Sequence, residues 1–468
     1  MNLPTDRQTT FESSWEGATV LGPEEHGVQR KQIHPAVLEV VSRLSKAGHP
    51  TLVVGGAVRD LLLGRTPKDF DLATSARPEQ VKALFQQARI IGRRFRLVLI
   101  RHKGITVEVA TFRAEPSRKG EAAMIMRDNR FGTPREDAFR RDFTINAMGF
   151  DPLTFSVIDY VGGLKDLKQR TLRTLFSPQV SFTEDPVRML RAVRFQVRLG
   201  FQMDPEMERT IRAMATEISP VVRHRLAEET QRFLTGGFAV ASFQRFQELG
   251  LLKPLLALQD HRWFFAHDAL ENALPKMTPY LKALDAWAEE EREKVSPTVA
   301  LLGLLLMLGH PDYLAFLAAE PMAVDRRRKV MNAFRRGVPD MLAEWGLLKG
   351  QVDPAMFILL AAHSLLRDRW KARFHPGRLM GGIREAWLLV ALLAGHLNLD
   401  RSFVAKGLAL LPELPVFPIL DHPRPDRHGG VYDPRAKTPP RLKPRGEGPP
   451  AKRRRRGGKR GRGRGTGG

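Results

Sequence analysis

From Pro35 to Lys46 the apolar residues recur with helical spacing. Val37, Leu38, Val40, Val41 and Leu44 share one face, with Pro35 at the start and Gly48 past the end. Leu52-Val53-Val54 is a short β-branched run, the pattern of a buried strand. Gly55-Gly56 interrupts it, and Ala57 to Leu63 returns to the helical period, closed by Gly64. Lys68 to Leu72 reads as extended, and Pro78 to Ala88 as a second amphipathic helix with Val81, Leu84 and Phe85 inward. Residues 89–113 read as strand, turn, strand. Phe95, Leu97 and Leu99 alternate with Arg94, Arg96 and Val98, Gly104 turns the chain, and Ile105 to Phe112 runs back. The polar stretch 114–130 predicts a loop. Beyond about residue 205 the helical period dominates, and 299–308, 355–366 and 386–396 are apolar enough to predict buried bundle helices. Residues 1–32 carry no period, and after Pro412 proline and glycine become dense; disorder is expected at both ends. The pattern is that of an α+β protein: a mixed sheet with flanking helices, then an all-α region and a basic tail.

Strand, paired glycines and helix start form a geometry suited to phosphate. Glycine lacks Cβ, so backbone N–H groups can approach an anion closely, and a helix N-terminus favours negative charge. Arg59, one turn in, adds a fork of donors. In an extended segment Asp69 and Asp71 point the same way, and two adjacent carboxylates repel unless a cation lies between them. Mg²⁺ is commonly shared between carboxylates and substrate phosphates. A lone Asp-x-Asp is ordinarily a solvated pair or a cap; the Gly-Gly a dozen residues before it makes this one specific.

Charge widens the picture. The 468 residues include 75 Lys or Arg against 51 Asp or Glu, a net charge of +24. Half of that excess lies in residues 421–468, where Lys452, Arg453, Arg454, Arg455 and Arg456 lead into Gly/Arg alternation. A polyanion, nucleic acid first, is the simplest partner for both halves, and the five-residue cluster is the candidate RNA contact of the tail. With no cysteine, disulfides, thiolate zinc sites and cysteine nucleophiles are excluded. No secretory pattern opens the chain and no apolar run reaches membrane length, so a cytoplasmic protein without membrane partners is expected.

The stretch Gly55-Gly56-Ala57-Val58-Arg59-Asp60, followed by Asp69-Phe70-Asp71, resembles the nucleotidyltransferase head of the poly(A) polymerase and CCA-adding enzyme family. Arg140-Arg141-Asp142-Phe143-Thr144-Ile145-Asn146 and Glu184-Asp185-Pro186-Val187-Arg188 resemble two further motifs of that family. The resemblance is close over residues 33–215 and holds only in kind beyond. It implies a polymerase beta-like fold and two Mg²⁺ ions, with Mn²⁺ as a substitute, on Asp69, Asp71 and Glu108, the last from the Glu108 to Arg113 strand. It implies ATP binding by Gly55, Gly56 and Arg59, phosphate contact by Arg141, ribose recognition by Asp142 with support from Asn146, base reading by Asp185 and Arg188, and a triphosphate or base contact by Arg191. Asp159 to Leu167, a second Gly-Gly segment with no carboxylate pair after it, is expected to be a structural turn.

The regions expected are a disordered segment at 1–32, the catalytic head at 33–175, a helical neck that binds nucleotide and RNA at 176–240, a helical RNA-binding body at 241–415 and the tail at 416–468. The activity implied is untemplated adenylate addition to RNA 3′ ends from ATP, with pyrophosphate release, feeding RNA decay and with decay proteins as partners of the tail. CCA addition to tRNA is the first alternative, and an inert RNA-binding head the second. His267-Asp268 suggests a phosphohydrolase metal pair, but the further spaced ligands such a site needs are missing, which favours a structural reading.

Overall fold

The computed structural model describes residues 15–92, 96–114, 131–218, 223–256, 272–290, 295–318, 320–345, 347, 349–367, 376–397 and 399–409. Eight strands make one mixed sheet: β1 Thr19–Leu21, β2 Thr51–Val54, β3 Asp71–Thr74, β4 Ala88–Ile91, β5 Leu97–His102, β6 Ile105–Thr111, β7 Gly149–Asp151 and β8 Ser156–Asp159. Their order is β1-β8-β7-β2-β3-β6-β5-β4. β3 and β6 run parallel, while β2 pairs antiparallel with β3 and β7. A parallel pair needs a long crossover; here it consists of the helix Pro78–Leu84 and the strands β4 and β5.

The two faces of this sheet differ. Val53, Leu72, Val98, Val107 and Val109 enter the main core with Val37, Val40, Val41 and Leu44 of the helix Pro35–Lys46. The opposite face buries a small cluster of Trp15, Leu52, Val54, Ala73, Phe112 and Ile158. Because strand side chains alternate, Asp71 and Glu108 fall on this second face, away from the helix.

Three expectations need correction. Residues 15–32 are not disordered throughout: Trp15 is buried and β1 pairs antiparallel with β8. A three-residue edge strand is too short to show a period, and its order comes from its partner. The segment 89–113 holds an additional strand, β4, and its alternation is offset: Val98 and Ile100 face the core, while Leu99 lies opposite Glu108. The Asp185 segment does not open a single capped helix. Pro178–Glu184 and Val187–Leu199 are separate helices broken at Asp185 and Pro186.

The second Gly-Gly pair is the expected turn. Asp159 accepts N–H groups from Val161, Gly163 and Leu164 at 3.0, 3.1 and 2.9 Å, and a Cβ on Gly163 would lie 2.4 Å from the Thr144 carbonyl oxygen. From Pro205 to Ala409 the described chain is helical. The helix Pro297–Leu308 is buried from Thr298 to Leu308. Among the described residues no helix is long and apolar enough to cross a membrane. His267, Asp268 and the cluster Lys452 to Arg456 lie outside the described residues.

Candidate active site

β2 ends at Val54, and the next residue has to turn the chain into a helix. Gly55 does so at φ +75°, a conformation L side chains rarely adopt. A Cβ there would sit 3.0 Å from Arg141 Nη1 and 4.0 Å from Asp71 Oδ2. Glycine is therefore required for backbone conformation and for room at one point, between a guanidinium and a carboxylate. The helix that follows, Gly56–Leu62, has only seven residues. So short a helix has a small dipole, which leaves backbone N–H groups and nearby arginines as the main attraction for an anion.

Asp71 opens β3 and is directly in register with Glu108 on β6. Adjacent strands lie about 4.8 Å apart, so the two carboxylates are side-by-side neighbours on one face. Asp69 precedes the strand instead of lying within it, yet it lines the same cleft as Asp71. Cleft walls withdraw water from Asp71 and raise its pKa; Asp69 raises it further, while Arg141 opposes the rise. Glu108 is also raised, first by desolvation and then by the charges of Asp71 and Asp69. The three acids thus act on one another, and mutual repulsion suits a site for divalent cations. They are coupled neighbours and not a closed cage: among the described residues no three His, Asp or Glu side chains are gathered as a metal-holding group.

The basic side is built from two segments. Arg141 donates through Nη2 to Asp137 Oδ2 at 3.0 Å, leaving Nη1 beside Gly55. Asp142, next in sequence, is buried. It accepts Arg191 Nε and Nη2 at 2.7 and 2.5 Å, Asn146 Nδ2 at 3.1 Å and the Phe143 N–H at 2.9 Å. Burial opposes ionisation of Asp142, but the charge of Arg191 and these hydrogen bonds outweigh it and hold the carboxyl below its usual range. Asn146 turns its other end to Arg59, accepting Nη1 at 2.6 Å. Arg59 is itself buried, with Nε and Nη2 both on Asp60 Oδ1. Its donors are spent inside the wall, so the geometry makes it a brace for Asn146 and Asp142, and Arg141 is the guanidinium nearest the carboxylates.

The helix Val187–Leu199 supplies Arg188, Arg191 and Arg194. Arg188 donates to Glu184 at 2.7 Å and stands 4.0 Å from Asp185 Oδ2. The same Asp185 oxygen accepts Arg225 Nη2 at 2.6 Å, from the helix Arg223–Leu234. That helix also places buried Glu229 under Arg191, Arg194 and Arg232, at 3.2, 2.7 and 2.8 Å. Arg225 and Glu229 escaped the reading of motifs. A signal existed for Glu229: it falls on the stripe of Leu226 and Phe233, where a carboxylate needs a partner. Together these elements enclose a cleft of about 760 Å³ lined by eleven arginines or lysines and five aspartates. A cleft with that balance, next to three coupled acids, fits a polyphosphate accompanied by cations.

Comparison with known proteins agrees with this arrangement. Residues 51–173 match the family model described as the poly A polymerase head domain, and residues 200–261 one described as the probable RNA and SrmB-binding site of polymerase A. Poly(A) polymerase I of Escherichia coli O6:H1 is 45% identical over 382 residues, covering 80% of this chain and 78% of that protein. The CCA-adding enzyme of Geobacillus stearothermophilus is 34% identical over 270 residues, 53% of this chain and 65% of that enzyme. Among solved structures, the Bacillus stearothermophilus CCA-adding enzyme in complex with CTP is 27% identical, covers 82% of this chain and 84% of its own, and has a TM-score of 0.48.

Proposed function

The chain belongs to the poly(A) polymerase and CCA-adding nucleotidyltransferase family, and from that premise we propose that it adds adenylates from ATP to RNA 3′ ends without a template, releasing pyrophosphate. The observation that carries this reading is the register of Asp71 with Glu108 on one sheet face, beside an arginine-lined cleft. Adenylate addition is favoured over CCA addition because the likeness to a poly(A) polymerase spans four-fifths of the chain, against about half for the CCA-adding relative. Members of that family transfer nucleotides; the choice of ATP and of generic 3′ ends is the reading offered for this chain.

The donor set fits divalent metal: Asp69, Asp71 and Glu108 offer hard oxygens whose mutual repulsion a cation would relieve. Two Mg²⁺ or Mn²⁺ held there would acidify the RNA 3′-hydroxyl and neutralise the α-phosphate and the departing pyrophosphate. The chain's own groups do the rest. Gly55, Gly56 and Arg141 receive the triphosphate; Asp142, steadied by Asn146 and Arg191, meets the ribose hydroxyls. Arg188 reads the base. Asp185 was expected to share that task, but Arg225 holds its carboxylate, so the adenine edge falls mainly to Arg188. Arg225→Ala frees Asp185 as an acceptor toward a base amino group; incorporation of CTP relative to ATP should rise about tenfold, measured in single-nucleotide extension assays. An unchanged ratio would return Asp185 to a structural role.

Residues 200–261 and the tail, with Lys452 to Arg456, are proposed to hold the RNA, and the tail to recruit RNA-decay proteins in a cytoplasmic setting. The division into head 33–175, neck 176–240, body 241–415 and tail 416–468 is proposed on the same basis. Incubation with Mg²⁺, a generic RNA and each nucleotide separately tests the function. Long tails from ATP alone support it. CTP-then-ATP addition confined to tRNA means CCA synthesis, and binding without incorporation means an inert head.

A further inference from the structure

We propose that Phe131, with Arg77 laid over it, is a stacking platform for a base of the RNA primer a nucleotide or two behind its 3′ end. The proposal rests on the function just assigned, since it names where that reaction's primer strand lies. Phe131 is 48% exposed, and the Arg77 guanidinium carbon stands 5.5 Å from the centre of its ring. An aromatic face with a cation beside it is the pairing that single-stranded nucleic acid uses, and every base has a face to offer it. Such a platform suits an enzyme whose primers differ in sequence.

The platform is fixed in place. Phe131 bridges Arg113 antiparallel at the end of β6, and the Gly132 N–H donates to the Phe112 carbonyl at 2.8 Å. Gly132 packs so tightly there that a Cβ would lie 2.4 Å from the Ala114 nitrogen. The Arg77 segment is tied to the same strand, because Thr111 Oγ1 donates to the Ala76 carbonyl at 2.6 Å. A single side chain connects this corner to the reacting centre. Asp137 accepts the Arg113 N–H on Oδ1 at 3.2 Å and Arg141 Nη2 on Oδ2 at 3.0 Å, and Arg141 stands beside Gly55 and Asp71. A strand with its 3′-hydroxyl at the carboxylates therefore reaches Phe131 within a step or two.

Fluorescence anisotropy with a labelled oligoadenylate, using the full chain, tests this. Phe131→Ala should weaken primer binding about five- to a hundredfold, and Phe131→Trp should stay within about twofold of wild type. The KM for ATP at saturating primer should keep its wild-type value. Arg77→Ala leaves the ring in place and should weaken primer binding by a smaller factor, which keeps the test decisive should Phe131→Ala fold poorly. Unchanged primer affinity in Phe131→Ala and Arg77→Ala, with wild-type melting, overturns the platform. A raised KM for ATP at constant primer affinity also overturns it, placing the ring at the nucleotide instead. If wild type incorporates no nucleotide, the functional reading fails, while the anisotropy comparison still decides the platform.

Discussion

Asp71→Asn stops ATP-dependent extension of RNA while leaving the protein folded. Loss of a carboxylate at the centre of the acidic cluster removes about 4 kcal/mol of charge stabilisation at the reacting phosphate, roughly a thousandfold in rate. The accompanying stability change has the opposite sign to that of an ordinary core substitution. The pKa values of Asp71 and Glu108 are raised in the folded chain. Their contribution to stability is therefore fully present below the unfolded carboxylate range and is lost as pH rises through the raised folded values. In EDTA at neutral pH the Asn variant should melt at or above the wild-type temperature. Adding Mg²⁺ should raise the melting temperature of wild type clearly and that of the variant little, and acidification should shrink the wild-type gain because protons compete for the same oxygens. A variant that extends RNA within tenfold of wild type would remove Asp71 from the chemistry.

Asp142→Ala is expected to cost both fold and activity. Arg191 would keep only Glu229 as its acidic partner, and an under-compensated buried cation costs about 3 kcal/mol. Asn146 would lose the acceptor that orients it, and Arg59 its fixed neighbour. Displacement of about an ångström at the ribose should lower extension roughly a hundredfold. Because Asp142 is held below its ordinary range, its stabilisation is complete above the unfolded value of about 4 and is lost as pH falls through the lower folded value. Urea denaturation at pH 7 should show the full gap between wild type and variant, and the gap should narrow only in strong acid. A variant equal to wild type in urea at pH 7 would mean that Arg191 is adequately held by Glu229 alone.

Much of this site was legible where function and local geometry coincide. Gly55 could be read as an obligatory glycine because a strand running straight into a helix needs an unusual backbone turn, and Asp69 with Asp71 because two acids so close are costly without a purpose. What stayed hidden depends on partners far along the chain. Nothing around Arg59 shows that Asp60 and Asn146 will occupy its donors, since Asn146 is 87 residues away. Arg225 looks like any helix-surface arginine until Asp185 is found against it. The edge strand β1 and buried Trp15 have no period to detect, because β8 and the far face of the sheet organise them. The offset in β5 arose because Leu97 to Ile100 is apolar on both sides, so alternation alone could not choose the inward set.

The main core runs without a break from Val28 and Val37 under the sheet, through Leu190 and Phe233, to Leu393 in the last third of the described chain. A molecule joined in that way has no seam at which to be cut. Regions that differ in task would still melt as a single cooperative unit, and a fragment ending after the sheet would bare a broad greasy surface and clump. Tightening around a nucleotide would be felt as slower amide exchange in helices that never touch it.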